Sequence, residues 1–193
     1  TAFDGSSDEA REGQYLGVNC RVARRLLEQG VRFIQIWSGA DNGHPRRNWA
    51  SHEELKRDHG PLGRGMAIGA AALIEDLHDK RLTEKVLLVV TGEFGRSPKI
   101  SRADTGRKGL RHGREHWPQA MSVLVCGGGI VHGQVIGSTN AKGEHPHDRP
   151  LTPNDLWATV YKHLGIDQNA TINDFSGRPQ LLLPFGRPIR ELS

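Results

Sequence analysis

The sequence predicts an α/β fold, a single domain built on a mainly parallel central sheet with helices on both faces. Two observations carry that expectation. Apolar segments alternate in type along the chain as helix, strand, helix, strand, loop, strand, helix, the order in which helices cross over between parallel strands. The strand-like runs are continuous rather than alternating, as in Val86-Leu-Leu-Val-Val90, which is the pattern of strands buried on both faces.

Each element has its own reason. Asn19 to Gln29 reads as a helix because Val22, Leu26 and Leu27 recur at helical spacing, and Gly30 stands where a C-terminal stop belongs. Val31 to Trp37 follows at once and reads as a buried strand. Ser38 to Asn48 holds Gly39, Asp41, Asn42, Gly43 and Pro45, so it is a loop. A long helix is expected from Ser51 or Glu53 to about His78, with a break near Pro61 to Gly63. Val86 to Val90 and Met121 to Cys126 are the next two strands, the second ended by Gly127-Gly128-Gly129. Between them, Thr91 to Pro98 is a loop, and Arg102 to Pro118 is a long polar loop without helical or strand period. Loops of that length inside compact domains are often functional. Val135-Ile136 suggests a short edge strand. Pro153 to Leu164 is a helix with Thr152 as N-cap, Pro153 in the first turn and Gly165 as stop. The proline-containing tail from Asn169 is expected to wrap the surface.

Composition narrows the function classes. The net charge of +4 is mild and the basic residues are spread out, unlike a concentrated nucleic-acid footprint. The Arg102 to Arg114 cluster contains Gly and His and reads as a solvated loop. No apolar run approaches the length of a membrane span. Cys20 and Cys126 stand alone without a Cys-x-x-Cys motif. Two buried free thiols are expected, with a single Cys20–Cys126 bridge as the alternative.

Residues with chemical reach gather on connecting loops. In Thr91-Gly-Glu-Phe-Gly-Arg-Ser-Pro98, Glu93 follows a strand and Arg96 offers a guanidinium fork for an anionic oxygen; the two could equally pair with each other. His52 opens the long helix, as a cap or as a ligand. Asp41 and His44 have D-x-x-H spacing on the loop before it and are additional metal candidates. Arg114, Glu115 and His116 are adjacent at the entry to a strand, where a His beside a carboxylate suits metal binding or acid–base work. His145-Pro-His147-Asp148 reads as an exposed loop. No nucleophile elbow, phosphate loop or dinucleotide fingerprint is present.

Taken in order, Arg24–Phe33, Asn48–His52, Ala72–Leu77, Gly92–Pro98, Gly113–Pro118 and Asp148–Leu156 resemble one family. It is the bacterial, sulfatase-like domain-of-unknown-function family 1501, placed in the alkaline phosphatase superfamily. The resemblance implies an alkaline-phosphatase-like three-layer sandwich. It implies hydrolysis of a small anionic ester, a phosphate or a sulfate, at one or two divalent metals (Zn²⁺, Mn²⁺ or Mg²⁺). It also implies an exported or periplasmic protein, with this chain as the C-terminal part of a longer one and the superfamily's nucleophile upstream.

Carried over position by position, the resemblance makes His52, Glu93 and His116 metal ligands. It makes Arg96 and Arg114 catalytic groups that hold ester oxygens. The family pattern Trp-Asp-x-His is broken here by Ala50, and Ala67 or Ile68 stands where a helical Asp is usual. Phe94 cannot ligate where relatives place the His of an Asp-His pair. A one-metal site is therefore the expectation. The rival is a non-catalytic binding module of the same fold, with an anion site at Arg96 and Arg114.

Overall fold

The computed structural model describes residues 8–38, 49–52, 55–104 and 110–193. The chain divides into two compact units, Thr1–Leu82 with Arg96–His116, and Thr83–Gly95 with Trp117–Ser193.

In the first unit, α1 (Asp8–Glu28) packs along α2 (Leu55–Asp79). The α1 seam is Leu16, Cys20 and Ala23, spaced three and four apart and all buried. It meets an α2 face of Leu62, Gly65, Gly69, Leu73 and Leu77. Gly69 lets the helices come close: a Cβ there would lie 3.1 Å from the Leu16 side chain, which would have to shift by a few tenths of an ångström. Arg24 Nε donates to Asp76 at 2.7 Å, joining the two helices. The expected α1 began too late and chose another face, since Val22 and Leu26 stay exposed. Helical spacing marks several stripes on one helix, and only the partner selects which is buried. Pro61 does not break α2. Its missing N–H removes one backbone bond, and burial of Leu62 beside it and of Leu73 and Leu77 further along the same helix offsets that cost. After Gly30, whose φ of 87° suits glycine, residues 31–37 have no regular structure and join no ladder among the described residues. The long polar loop expected at 102–118 contains an antiparallel hairpin, β3 (Ser101–Asp104) with β4 (Leu110–Gly113).

In the second unit, β1 (Leu87–Val90) pairs antiparallel with β6 (Leu124–Gly127), Leu87 opposite Gly127 and Val90 opposite Leu124. β7 (Ser138–Thr139) pairs with β8 (Pro146–Asp148), and β9 (Thr171–Asn173) with β10 (Pro179–Leu181). Val135-Ile136 is not a strand. The helix α3 (Pro153–Leu164) matches its expectation closely: Thr152 and Asp155 form a reciprocal capping box, and Gly165 is left-handed with φ 70°. The C-terminal turn (Arg190–Leu192) is held by Arg149, which grips Glu191 with two bonds of 2.6 and 2.8 Å. That grip holds the Glu191 carboxyl at about 2. Both cysteines are free thiols, Cys20 buried and Cys126 half-buried.

The expected alkaline-phosphatase-like sandwich with a mainly parallel central sheet is therefore corrected. Among the described residues every sheet has two strands, the resolved pairings are antiparallel, and two short strands, β2 (Gly95–Arg96) and β5 (His116–Trp117), make a further small pair. The architecture is a small mixed α/β fold. The physical reason is that an apolar run reports burial, while strand direction is set by which backbone comes alongside. The β1 residues are half-buried rather than buried on both faces.

Candidate functional site

A site assembles in the first unit from stretches that lie far apart in sequence, 49–52, 96–98 and 114–116. The last two stretches are braced by backbone and side-chain bonds. Ser97 N–H donates to the Glu115 carbonyl at 2.9 Å, and Glu115 N–H donates back to Ser97 Oγ at 3.0 Å. Arg114 Nη1 donates to the carbonyls of Ser97 and Pro98 at 2.6 and 2.7 Å. Arg96 Nη1 donates to the Arg114 carbonyl at 3.1 Å, and its Nη2 donates to the Trp49 carbonyl. The two arginines expected to hold an anion thus direct these donors at backbone carbonyls.

On this frame three side chains meet. His52 Nδ1 lies 2.7 Å from Glu115 Oε2, and His52 Nε2 lies 2.8 Å from His116 Nε2. The two rings sit 4.4 Å apart, tilted by 55°. A carboxylate only accepts, so the partner assigns the proton to His52 Nδ1. In the neutral ring this turns the Nε2 lone pair toward His116. Glu115 and His116 are exposed and His52 is partly so, leaving the pair accessible to solvent.

Around Trp49 and Arg96 the surroundings are drier. Asp58 is buried and bonded to Arg57 Nε at 2.7 Å. The His59 ring packs 5.4 Å from Trp49. Burial pushes the His59 imidazole below its ordinary value, and the nearby Arg96 charge adds to this against the opposing Asp58. His59 Nε2 and Ser51 Oγ are buried without a hydrogen-bond partner.

The sequence expectations divide accordingly. His52 and His116 are brought together. Glu93 is exposed and belongs to the second unit. Asp41 and His44 lie outside the described residues. His147 and Asp148 are exposed on β8, and the His145 ring sits 6.0 Å from Trp117. Among the described residues no group of three or more His, Cys, Asp or Glu side chains is arranged to hold a metal. Glu115 was passed over as a partner for His52; its only signal was a carboxylate directly before a histidine. The motif glycine Gly95 also gains a reason, since a Cβ there would lie 1.9 Å from the Ala120 carbonyl oxygen.

No helix is long and apolar enough to cross a membrane among the described residues. Neither a curated protein nor a solved structure matches the chain. The family model described as "Protein of unknown function (DUF1501)" matches residues 2–193, which includes the braced stretches and the histidine pair, and the chain belongs to that family.

Proposed function

We propose that this chain carries the histidine donors of a metal-dependent hydrolase acting on phosphate or sulfate esters. The single observation that supports the donor assignment is the His52–His116 pair, tip to tip at 2.8 Å, with Glu115 on the far nitrogen of His52. A histidine whose second nitrogen is tied to a carboxylate is the usual arrangement of a metal-binding histidine. Two imidazole nitrogens suit Zn²⁺ or Mn²⁺ better than Mg²⁺, which takes oxygen ligands. A catalytic zinc site takes three protein ligands, so the pair fits as part of a ligand set. The reaction class rests on the resemblance of the motif set to the alkaline phosphatase superfamily.

A divalent cation supplies charge neutralisation for an anionic ester and Lewis-acid activation of an oxygen nucleophile. Glu115 keeps the proton on His52 Nδ1, which leaves Nε2 as a donor of electrons. Arg96 and Arg114 hold the backbone that carries both rings.

The test is elemental analysis of the chain after equilibration with Zn²⁺, Mn²⁺ or Mg²⁺ and dialysis, followed by assay with nitrophenyl phosphate and nitrophenyl sulfate. Retained metal that is lost in His116→Ala, with the fold intact by circular dichroism, is the expected result. Absence of retained metal from the wild-type chain overturns the proposal.

A further inference from the structure

We infer that Arg96 is a positioning residue that sets the spacing of His52 and His116, a role that deepens the metal-site reading and takes its functional meaning from it. The geometry is a two-ended tie. One guanidinium donates to the Trp49 carbonyl through Nη2 and to the Arg114 carbonyl through Nη1. His52 follows Trp49 by three residues and His116 follows Arg114 by two. A residue spans at most roughly 3.6 Å of chain, so the His52 backbone lies within about 11 Å and the His116 backbone within about 7 Å of a residue held by the same planar group.

The need for such a tie follows from local structure. Residues 49–52 form a turn and an irregular stretch ahead of α2, outside any helix or ladder, where the Trp49 Nε1–H also donates to Ser38 Oγ at 3.2 Å. The stretch 114–116 is fixed to Ser97 by the reciprocal backbone bonds. Arg96 is the neighbour of Ser97 and reaches from this fixed stretch to the less regular one. A guanidinium can do this because its N–H groups diverge in a rigid plane. A lysine ammonium is a compact point charge on a flexible stem and cannot hold the same two carbonyls in fixed geometry. The substitution Arg96→Lys therefore separates a charge effect from a geometric one.

Three measurements test the inference. In the metal-free wild-type chain, long-range ¹H–¹⁵N spectra of the imidazoles are expected to show His52 as the Nδ1–H tautomer, hydrogen-bonded to His116. In Arg96→Lys and Arg96→Met that ring signature is expected to vanish while circular dichroism stays wild-type. Affinity for Zn²⁺ is expected to fall about 10–100-fold in both, the usual effect of losing outer support for a ligand. An unchanged ring signature in a folded Arg96→Lys chain overturns the inference. Where the variants fail to fold, the wild-type guanidinium decides: slowly rotating, exchange-protected Nη protons support the tie, and freely averaging ones overturn it. A wild-type chain that binds no metal, with the ring signature still lost on substitution, sinks the metal reading alone and leaves the positioning role standing.

Discussion

At the scale of single residues, Glu115 accepts from His52 Nδ1 at 2.7 Å and so decides which nitrogen faces His116. In Glu115→Ala the ring is free to change tautomer, and Zn²⁺ affinity is expected to fall about 10–100-fold. Isothermal titration of both proteins checks this; equal affinities would remove Glu115 from the site. His59 makes a prediction about pH. Its folded-state pKa is depressed, first by burial and then by Arg96, so the unfolded chain binds the extra proton more readily. The associated stability is present above the ordinary imidazole value near 6.5 and is lost as pH falls through the lower folded value. Midpoints of urea unfolding should decline as pH drops below about 6.5, and His59→Gln should flatten that decline. A flat wild-type profile would show that His59 does not titrate as argued. These partnerships were hidden in the sequence. The tripeptide Arg114-Glu115-His116 announced a chemical stretch, but His52 comes to it across 63 and 64 positions.

At the scale of elements, α3 was legible almost residue by residue because its signals are local. Thr152 accepts from Asp155 N–H, and Asp155 accepts from Thr152 N–H and Oγ1. The substitution Thr152→Ala should cost about 1 kcal/mol, read as a shift in the denaturation midpoint at unchanged slope. No shift would mean that the Pro153 start and the Gly165 stop suffice. The seam between α1 and α2 was less legible. Its helical periods were visible, while the choice of Leu16, Cys20 and Ala23 over Val22 and Leu26 depended on where α2 lies. The hairpin at 101–113 was missed because its strands carry Arg102, Asp104 and Arg111 rather than an apolar alternation. Such strands carry no apolar alternation for a linear reading to find.

At the scale of the whole molecule, the short ladders and the helices should differ in how firmly they are closed. Two-stranded sheets are marginal by themselves, whereas the α1–α2 seam and α3 bury apolar side chains. Amide hydrogen exchange should be slowest in α1, α2 and α3 and faster in β1 and β6. Equal protection in β1 and β6 would require a larger sheet around them than the one they form here. By itself the sequence determined α3 with its cap and stop, the end of α1, the span of α2 to within a few residues, the family, and two of the three residues that meet at the site. Those features depend on neighbours a few residues away, or on motifs that keep their residue types. Tertiary structure alone decided the antiparallel direction of β1 and β6, the buried stripe of α1, the pairing of Glu115 with His52, and the turn of Arg96 and Arg114 toward backbone carbonyls. Each of these is a choice among partners distant in the chain, and a linear pattern carries the appetite for a partner without its identity.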